Sequence, residues 1–390
     1  MKIYRPLWSE GVLLAPQQFQ QQSEWESFSR AGLSTLIGAF SWGVERVEFN
    51  EALLTSGRIQ VQTLRLWLPD GTLIDTQSSD LPPEPREVAL PASGRADSVT
   101  VLVALPVMQP GIVNVQTETA PAERPLRYRE EWVTIQDAFG QEEEPMAVAR
   151  FNLAFRFDHE SNDAWQTCAV ARLLRDNQGG WRLDPDFVPP MAMFSASQVL
   201  RERLVLLNRQ LRSRRLRLMA MRRESNDRMA DFAVADVSLF WLLNALNTHA
   251  RVLSEYERFP ARSPEQVWVE LARLAGSMLT FSLDRDLDAI PGFDHQVPEN
   301  TFPPLFELIS ELLEASLPSR VVAVNMTRQS SLPEPRLGHK CRIQLGRTCV
   351  LGLKGDRPGK RTHLTVSLGY YAGLDCKPLL QALDGGYRFD

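Results

Sequence analysis

The feature that most constrains this chain is a change of hydrophobic period near residue 190. Before Pro185–Pro190 the apolar residues recur at every second position; after it they recur every three to four. A period of two places alternate side chains on one face of a strand, and a period of 3.6 places a stripe along a helix. Both periods occur here in separate blocks, so the chain reads as an α+β protein with its β-rich part first. A βαβ arrangement is excluded because no helical period lies between the strands.

The strand block is expected over about Trp42–Asp184. Arg58–Leu68 alternates along its length, and Pro69-Asp70-Gly71-Thr72 then supplies a turn before Leu73-Ile74 resumes the pairing. Ser98–Val107 is a continuous Val/Leu run, the mark of a strand covered on both faces. Met146–Phe157 alternates again, with Phe151, Leu153, Phe155 and Phe157 on one side. Gln166–Leu174 is a further strand, turned by Asn177–Gly180 into Trp181–Leu183. Short strands spaced by turns predict a β-sandwich or barrel. Pro82–Pro91 reads as a surface loop and Glu142–Glu144 as a solvated turn.

Pro185–Pro190 reads as a linker, and four amphipathic helices follow. The first is capped by Ser195 or Ser197, with a stripe of Leu200, Leu204, Leu207, Leu211, Leu218 and Met221. The second spans about Ala230–Tyr256, with Phe232, Val237, Phe240, Trp241, Leu243, Leu246 and Leu253 as its apolar set. The third starts at Ser263-Pro264-Glu265-Gln266, a capping-box pattern, and runs to about Phe281. The fourth is expected over Phe302–Leu317. Together they predict a four-helix bundle.

The 390 residues allow two or three domains, and a net charge of −5 argues against nucleic acid as the main partner. The first helix carries Arg201, Arg203, Arg209, Arg212, Arg214, Arg215 and Arg217. No aromatic residue interleaves with them, which favours an acidic protein surface over a nucleic acid. No apolar run is long enough to cross a bilayer, and Glu10 follows Lys2 and Arg5 too soon for a signal peptide, so a cytoplasmic location without membrane insertion is expected. Cys168, Cys341, Cys349 and Cys376 lack zinc or disulfide spacing.

Several apparent motifs fail on their own requirements. Asp284-x-Asp286-x-Asp288 begins like a calcium loop, but Ala289 and His295 stand where glycine and glutamate belong. Gly355–Thr362 has glycine spacing one residue short of a phosphate loop, and Arg361 fills the Ser/Thr slot. His249 lies inside a helix and reads as structural, and Asp158-His159-Glu160 cannot all face one site on an extended chain. No serine or cysteine nucleophile accompanies a histidine, so the chain is read as a non-enzyme without metal or cofactor.

The N-terminal arm has no reactive chemistry either. It runs Trp8-Ser9-Glu10-Gly11-Val12-Leu13-Leu14-Ala15-Pro16, then Gln17-Gln18-Phe19-Gln20-Gln21-Gln22, with Pro16 suited to a first helical turn. Trp8, Glu10, Leu13, Leu14 and Phe19 are its candidate contact residues, toward their own domain or a partner. This stretch closely resembles the opening of the TssK family (ImpJ/VasE-like), baseplate subunits of the bacterial type VI secretion system. Phe293-Asp294-His295 followed by Phe302-Pro303-Pro304-Leu305 resembles that family's aromatic-Asp-His loop and helix start.

The resemblance implies three parts: a β-rich shell akin to phage receptor-binding proteins (1–188), a helical bundle (193–318) and a C-terminal head (319–390). It implies a homotrimer whose shell joins TssF and TssG and whose head reaches the cytoplasmic domains of TssL and TssM. It implies no cofactor. Beyond Met326 the resemblance fades: residues 327–390 carry eleven Lys/Arg against five Asp/Glu, and three of the four cysteines. That tail is expected to be a shortened, divergent head or the product of a shifted reading frame, and to pack loosely around strand-like pieces at Cys341–Leu345 and His363–Leu368. A second reading, a phage-type receptor-binding or adhesin module, rests on the β-rich block alone.

Overall fold

The computed structural model describes residues 2–315, apart from short segments at 92–93, 95, 118–123, 177–178, 227–233 and 283. Beyond 315 it describes the backbone of two strands, 350–353 and 366–369. A helix α1 (Pro16–Ile37) precedes β1 (Gly43–Phe49), a single turn α2 (Glu51–Leu54), β2 (Arg58–Ile59), β3 (Val61–Trp67) and β4 (Leu73–Asp75). Then come β5 (Arg86–Glu87), β6 (Ser98–Pro106), β7 (Val115–Gln116), β8 (Tyr128–Gln136), β9 (Glu143–Phe151), β10 (Ala154–Phe157), β11 (Trp165–Arg175) and β12 (Trp181–Leu183). The long helices are α3 (Gln198–Asn226), α4 (Val234–Arg258), α5 (Pro264–Leu279) and α6 (Phe302–Glu314). The last strands, β13 (Val350–Leu353) and β14 (Val366–Gly369), pair antiparallel.

Residues 1–229 and 240–315 form one compact unit; 230–239 and 316–390 form a second, where β13 and β14 lie. The predicted pieces at 341–345 and 363–365, the glycine stretch 355–362, the packing of the tail, Phe232 and three of the cysteines lie outside the described residues. The chain is thus a mixed α+β protein, β-rich first and helical after.

In the first unit β6 is the central strand, flanked by β10 and β11, with β12 beyond β11 in the order β10-β6-β11-β12. Its Val99, Val101, Val103 and Leu105 are buried, and the flanking strands add Phe155 and Phe157 from β10 and Cys168, Val170 and Leu173 from β11. A second sheet, β1-β3-β4, adds Val44, Val61, Leu64, Leu66 and Ile74 to the same core. Fully burying each such side chain stabilises the fold by about 1.5–3 kcal/mol. Burial also pushes the Cys168 thiol up to about 12, so it is an inert core group.

The alternating run at Met146–Phe157 is not one strand. It breaks at Asn152-Leu153, where β9 ends in one sheet and β10 begins in another. Asn152 stabilises the break: its N–H donates to the Arg127 carbonyl, and its side-chain amide to that of Leu126. Both halves still turn aromatic residues inward, so the alternation is real although the pairing changes. Pro82–Pro91 is not only loop, since Arg86–Glu87 pairs with Arg58–Ile59. Glu143 and Glu144 belong to strand β9, paired with Gln136 and Ile135, and only Glu142 stays in the turn.

Pro185–Pro190 is not a free linker. Pro189 and Pro190 are buried, Val44 N–H donates to the Pro190 carbonyl, and Ala192 N–H returns to the Val44 carbonyl. Gly43 makes this approach possible: its φ is +115°, and a Cβ there would stand 2.6 Å from Met191 N.

In the helical region each of four helices packs on the next. Asn208 on α3 donates to the Leu253 carbonyl and the Glu257 carboxylate of α4. His249 on α4 meets Glu270 on α5 at 2.9 Å, with both side chains buried. α5 packs on α6, and α6 returns to α3 through Ser310 and Gln210. Ser197, not Ser195, caps α3: its Oγ accepts from Leu200 N–H. At α5 Pro264 opens the helix as expected, but Ser263 makes no side-chain cap, so the predicted box does not form.

The apolar set expected on α4 is partly wrong. Val237, Phe240 and Trp241 are exposed, as is Met221 on α3, and Leu242, Leu243, Leu246 and Leu253 are the buried positions. The extra aromatic residues blurred the stripe: α4 has apolar residues over more than half its turn, and only one side meets α3 and α5. Helix ends fall short of the expected Phe281 and Leu317, at Leu279 and Glu314.

Candidate protein interaction site

The arm folds back along α1. Gly11, at φ +75°, sits in the turn that closes with Val12 N–H on the Ser9 carbonyl. Trp8 then leans on Phe19 with ring centroids 6.1 Å apart, and Arg5 stacks its guanidinium 4.4 Å from the Trp25 ring. Tyr4 N–H donates to Gln21 Oε1. The helix starts at Pro16 as its sequence demands, and Gln18 Oε1 accepts the Ala15 N–H at 2.7 Å.

The packing between arm and helix leaves their apolar surface in solvent. Leu13 is 87% exposed, Leu14 59% and Phe19 56%, and Trp8 and Glu10 are exposed as well. The five sequence-predicted residues thus lie on one arm–helix element, with Trp8 and Phe19 in ring contact. Leu7, Phe28, Leu33 and Leu36 extend the exposed set, and sequence reasoning did not select them. The signal for them was the lack of any apolar stripe on α1: Phe19, Trp25, Phe28 and Leu33 follow no helical period. Single exposed apolar residues are ordinary, but a run this dense marks a contact surface.

The aromatic-Asp-His loop has a different task. His295 Nε2 lies 2.9 Å from the Trp42 carbonyl, and its ring stacks on Phe40 and meets Trp42 edge-on. Asp294 accepts the N–H groups of Gln296 and Val297, and Phe293 packs against Phe40, Trp268 and Phe302. Burial holds His295 below the usual imidazole range, against the opposing pull of the Trp42 carbonyl and Asp294. Glu299 nearby binds Arg172 of β11 and the Val188 N–H. The loop fastens the helical region to the β-rich region and presents no reactive group.

The other histidine candidates are structural too. Asp158-His159-Glu160 closes a turn in which Glu160 receives Arg86 and the Phe157 N–H. Burial works to raise the Glu160 carboxyl, yet these bonds leave it below its ordinary value. Asp286 caps a short 3-10 turn by accepting the Asp288 N–H.

With this geometry in hand, the chain matches over residues 18–358 the family described as "Bacterial Type VI secretion, VC_A0110, EvfL, ImpJ, VasE". The chain belongs to this family. It is therefore a type VI secretion baseplate component of the TssK/ImpJ/VasE kind, a structural protein and not an enzyme. The match begins after most of the arm and runs past Met326, so the family extends further into the tail than the residues alone suggested.

A curated relative is the baseplate component TssK1 of Pseudomonas aeruginosa, 26% identical over 366 residues, covering 91% of this chain and 79% of the relative. The cryo-electron microscopy structure of a TssK-TssF-TssG baseplate subcomplex contains a chain 44% identical, with TM-score 0.73, covering 80% of this chain and 100% of that one. A baseplate complex of the same secretion system matches at 44% identity and TM-score 0.78, covering 92% of this chain and 80% of that one. Baseplate membership displaces the adhesin reading. Among the described residues no helix is long and apolar enough to cross a membrane.

Proposed function

We propose that the chain works as a homotrimeric connector that joins TssF and TssG through its β-rich side and the TssL and TssM cytoplasmic domains through its C-terminal part. The observation that carries this reading is the exposed apolar arm on a β-rich unit similar to the TssK chain of a TssK-TssF-TssG subcomplex. Trp8, Leu13, Leu14 and Phe19 act as anchors and Glu10 as a polar rim group, since binding energy concentrates in such aromatic and apolar side chains. The two sheets sharing one core act as a sandwich- or barrel-like shell (1–188). The four mutually packed helices act as a bundle (193–318), and 319–390 serves as the head. The assembly works in the cytoplasm against the membrane-docked apparatus.

The test is co-purification. Trp8→Ala with Leu13→Ala should leave the oligomer intact and reduce TssF–TssG capture by at least about tenfold. Capture at wild-type strength removes the arm from the interface. For the tail, which carries an excess of basic residues, weak capture of the TssL and TssM cytoplasmic domains is expected. Binding as strong as that of a longer relative would overturn the expected weakness of the tail and leave the connector reading standing.

A further inference from the structure

Two exposed surfaces of the first unit carry opposite charge and complementary apolar groups. One is the β8–β9 ribbon. Residues 130–149 hold Glu130, Glu131, Asp137, Glu142, Glu143 and Glu144 and no lysine or arginine. Of these acids Glu131 alone is ion-paired among the described residues, to Arg150. Between them the ribbon shows water Trp132 (64% exposed), Ile135, Met146 and, at its tip, Phe139 (101%). β7 pairs with β8 only at Tyr128 and Arg129, so beyond this root the ribbon is two-stranded and largely in solvent; such a ribbon is marginal by itself, and apolar groups on it need a partner.

The other surface is the outer face of α3. Residues 203–223 hold eight arginines and no acid. Arg209, Arg212, Arg217, Arg222 and Arg223 are exposed, and Arg203 alone of the eight has an ion-pair partner among the described residues, Glu307 at 3.6 Å. Leu216 is 60% exposed on this helix. On α4 Trp241 is 55% exposed, and Phe240 lies under the Arg222 guanidinium at 5.4 Å. Arginine and aromatic residues are the side chains that dominate protein interfaces, and the arginine fork suits carboxylates.

The two surfaces fit in sign and in length. A strand of nine residues, as in β8, spans about 30 Å, and the 21 residues of α3 from 203 to 223 span a similar distance. Within one chain both are exposed, so they do not cover each other. We infer that the β8–β9 ribbon of one copy lies along the arginine face of α3 in a second copy. Two different surfaces joined in this way make a head-to-tail contact, which closes into a ring when the rotation allows. The inference rests on the homotrimer reading for the number of copies, and names the surfaces that join them.

The test uses the full chain at micromolar concentration with mass measured by light scattering. Glu142→Lys/Glu143→Lys/Glu144→Lys on the ribbon, or Arg209→Glu/Arg212→Glu/Arg217→Glu on α3, should each weaken assembly at least about tenfold. Combining the two sets should restore it. A photo-crosslinking residue replacing Phe139 should join two copies, with the adduct mapped to residues 203–223, a readout that leaves all charges in place. Reversals that leave a trimeric mass unchanged, a combination that stays dissociated, or an adduct elsewhere overturn the pairing while the trimer stands. A wild-type chain that is monomeric overturns the trimer reading and the pairing together.

Discussion

Two antiparallel strand pairs of similar length lie in the first unit and meet opposite fates. β6 pairs with β11 from Trp165–Pro106 to Leu174–Ser98, and β8 pairs with β9 from Tyr128–Phe151 to Gln136–Glu143. The backbone chemistry is the same. β6 is a Val/Leu run with Val101, Val103 and Leu105 fully buried; β8–β9 intersperses acids with isolated apolar residues and is exposed along most of its length. Strand pairing alone therefore does not make a core; the side chains on the two faces decide whether a ribbon is buried or reaches out.

The sharpest way to break this comparison is to open the buried pair. Phe157→Ala removes a fully buried ring on β10, beside Val101 of β6 in the same sheet, and should cost about 3–5 kcal/mol, read as a shift of the urea midpoint with unchanged slope. A cost below 1 kcal/mol would mean that the β6–β11 sheet is not the core.

A smaller contrast compares hydrogen-bonded carboxylates in the two settings. His249→Ala leaves the Glu270 carboxylate buried without its 2.9 Å partner and should cost about 2–3 kcal/mol. Glu131→Ala removes the partner of Arg150 on the half-exposed ribbon root and should cost no more than about 1 kcal/mol. Equal costs in the same denaturation series would show that burial does not set the strength of these pairs.

How much of this was legible in the sequence depends on where the pattern and the environment agree. The Ser98–Val107 run, the helix starts at Pro16, Pro264 and Phe302, and the leucine stripe of α3 could be read because one period or one proline dominates each. The break at Asn152-Leu153 could not, because alternation continues while the partner strand changes. The α4 face was misread because Phe240 and Trp241 are apolar but face outward, and hydrophobicity does not distinguish a core contact from an exposed one. Four of the arm's five candidate residues were visible as a dense apolar run, with Glu10 the polar member. β8 and the acidic start of β9 were not, because their acids hide the alternation that Met146–Phe151 still shows.

Weaker still is the pH response of the buried loop that fastens the helices to the strands. The His295 value is lowered in the fold relative to the free imidazole, so the unfolded chain binds more protons as pH falls below about 6.5. Stability from this group is complete above that range and declines on acidification until the folded imidazole also protonates. The melting temperature should fall between pH 7.5 and 5.5, and His295→Gln should flatten that slope. An unchanged slope in the variant would assign the acid loss to other groups.

The smallest effect is expected at the ribbon tip, and there the comparison is most exposed to refutation. Phe139 is the same residue type as Phe157, yet it is fully in solvent where Phe157 is fully covered. Phe139→Ser removes no intramolecular packing, so its urea midpoint should stay within about 0.5 kcal/mol of wild type when the chain is dilute enough to be monomeric. At assembling concentrations the same substitution should weaken self-association, because a ring with no contact in its own chain can contribute only through another. A loss of monomer stability comparable to that of Phe157→Ala would mean that the ribbon packs back on its own unit, and the contrast between the two strand pairs would not hold.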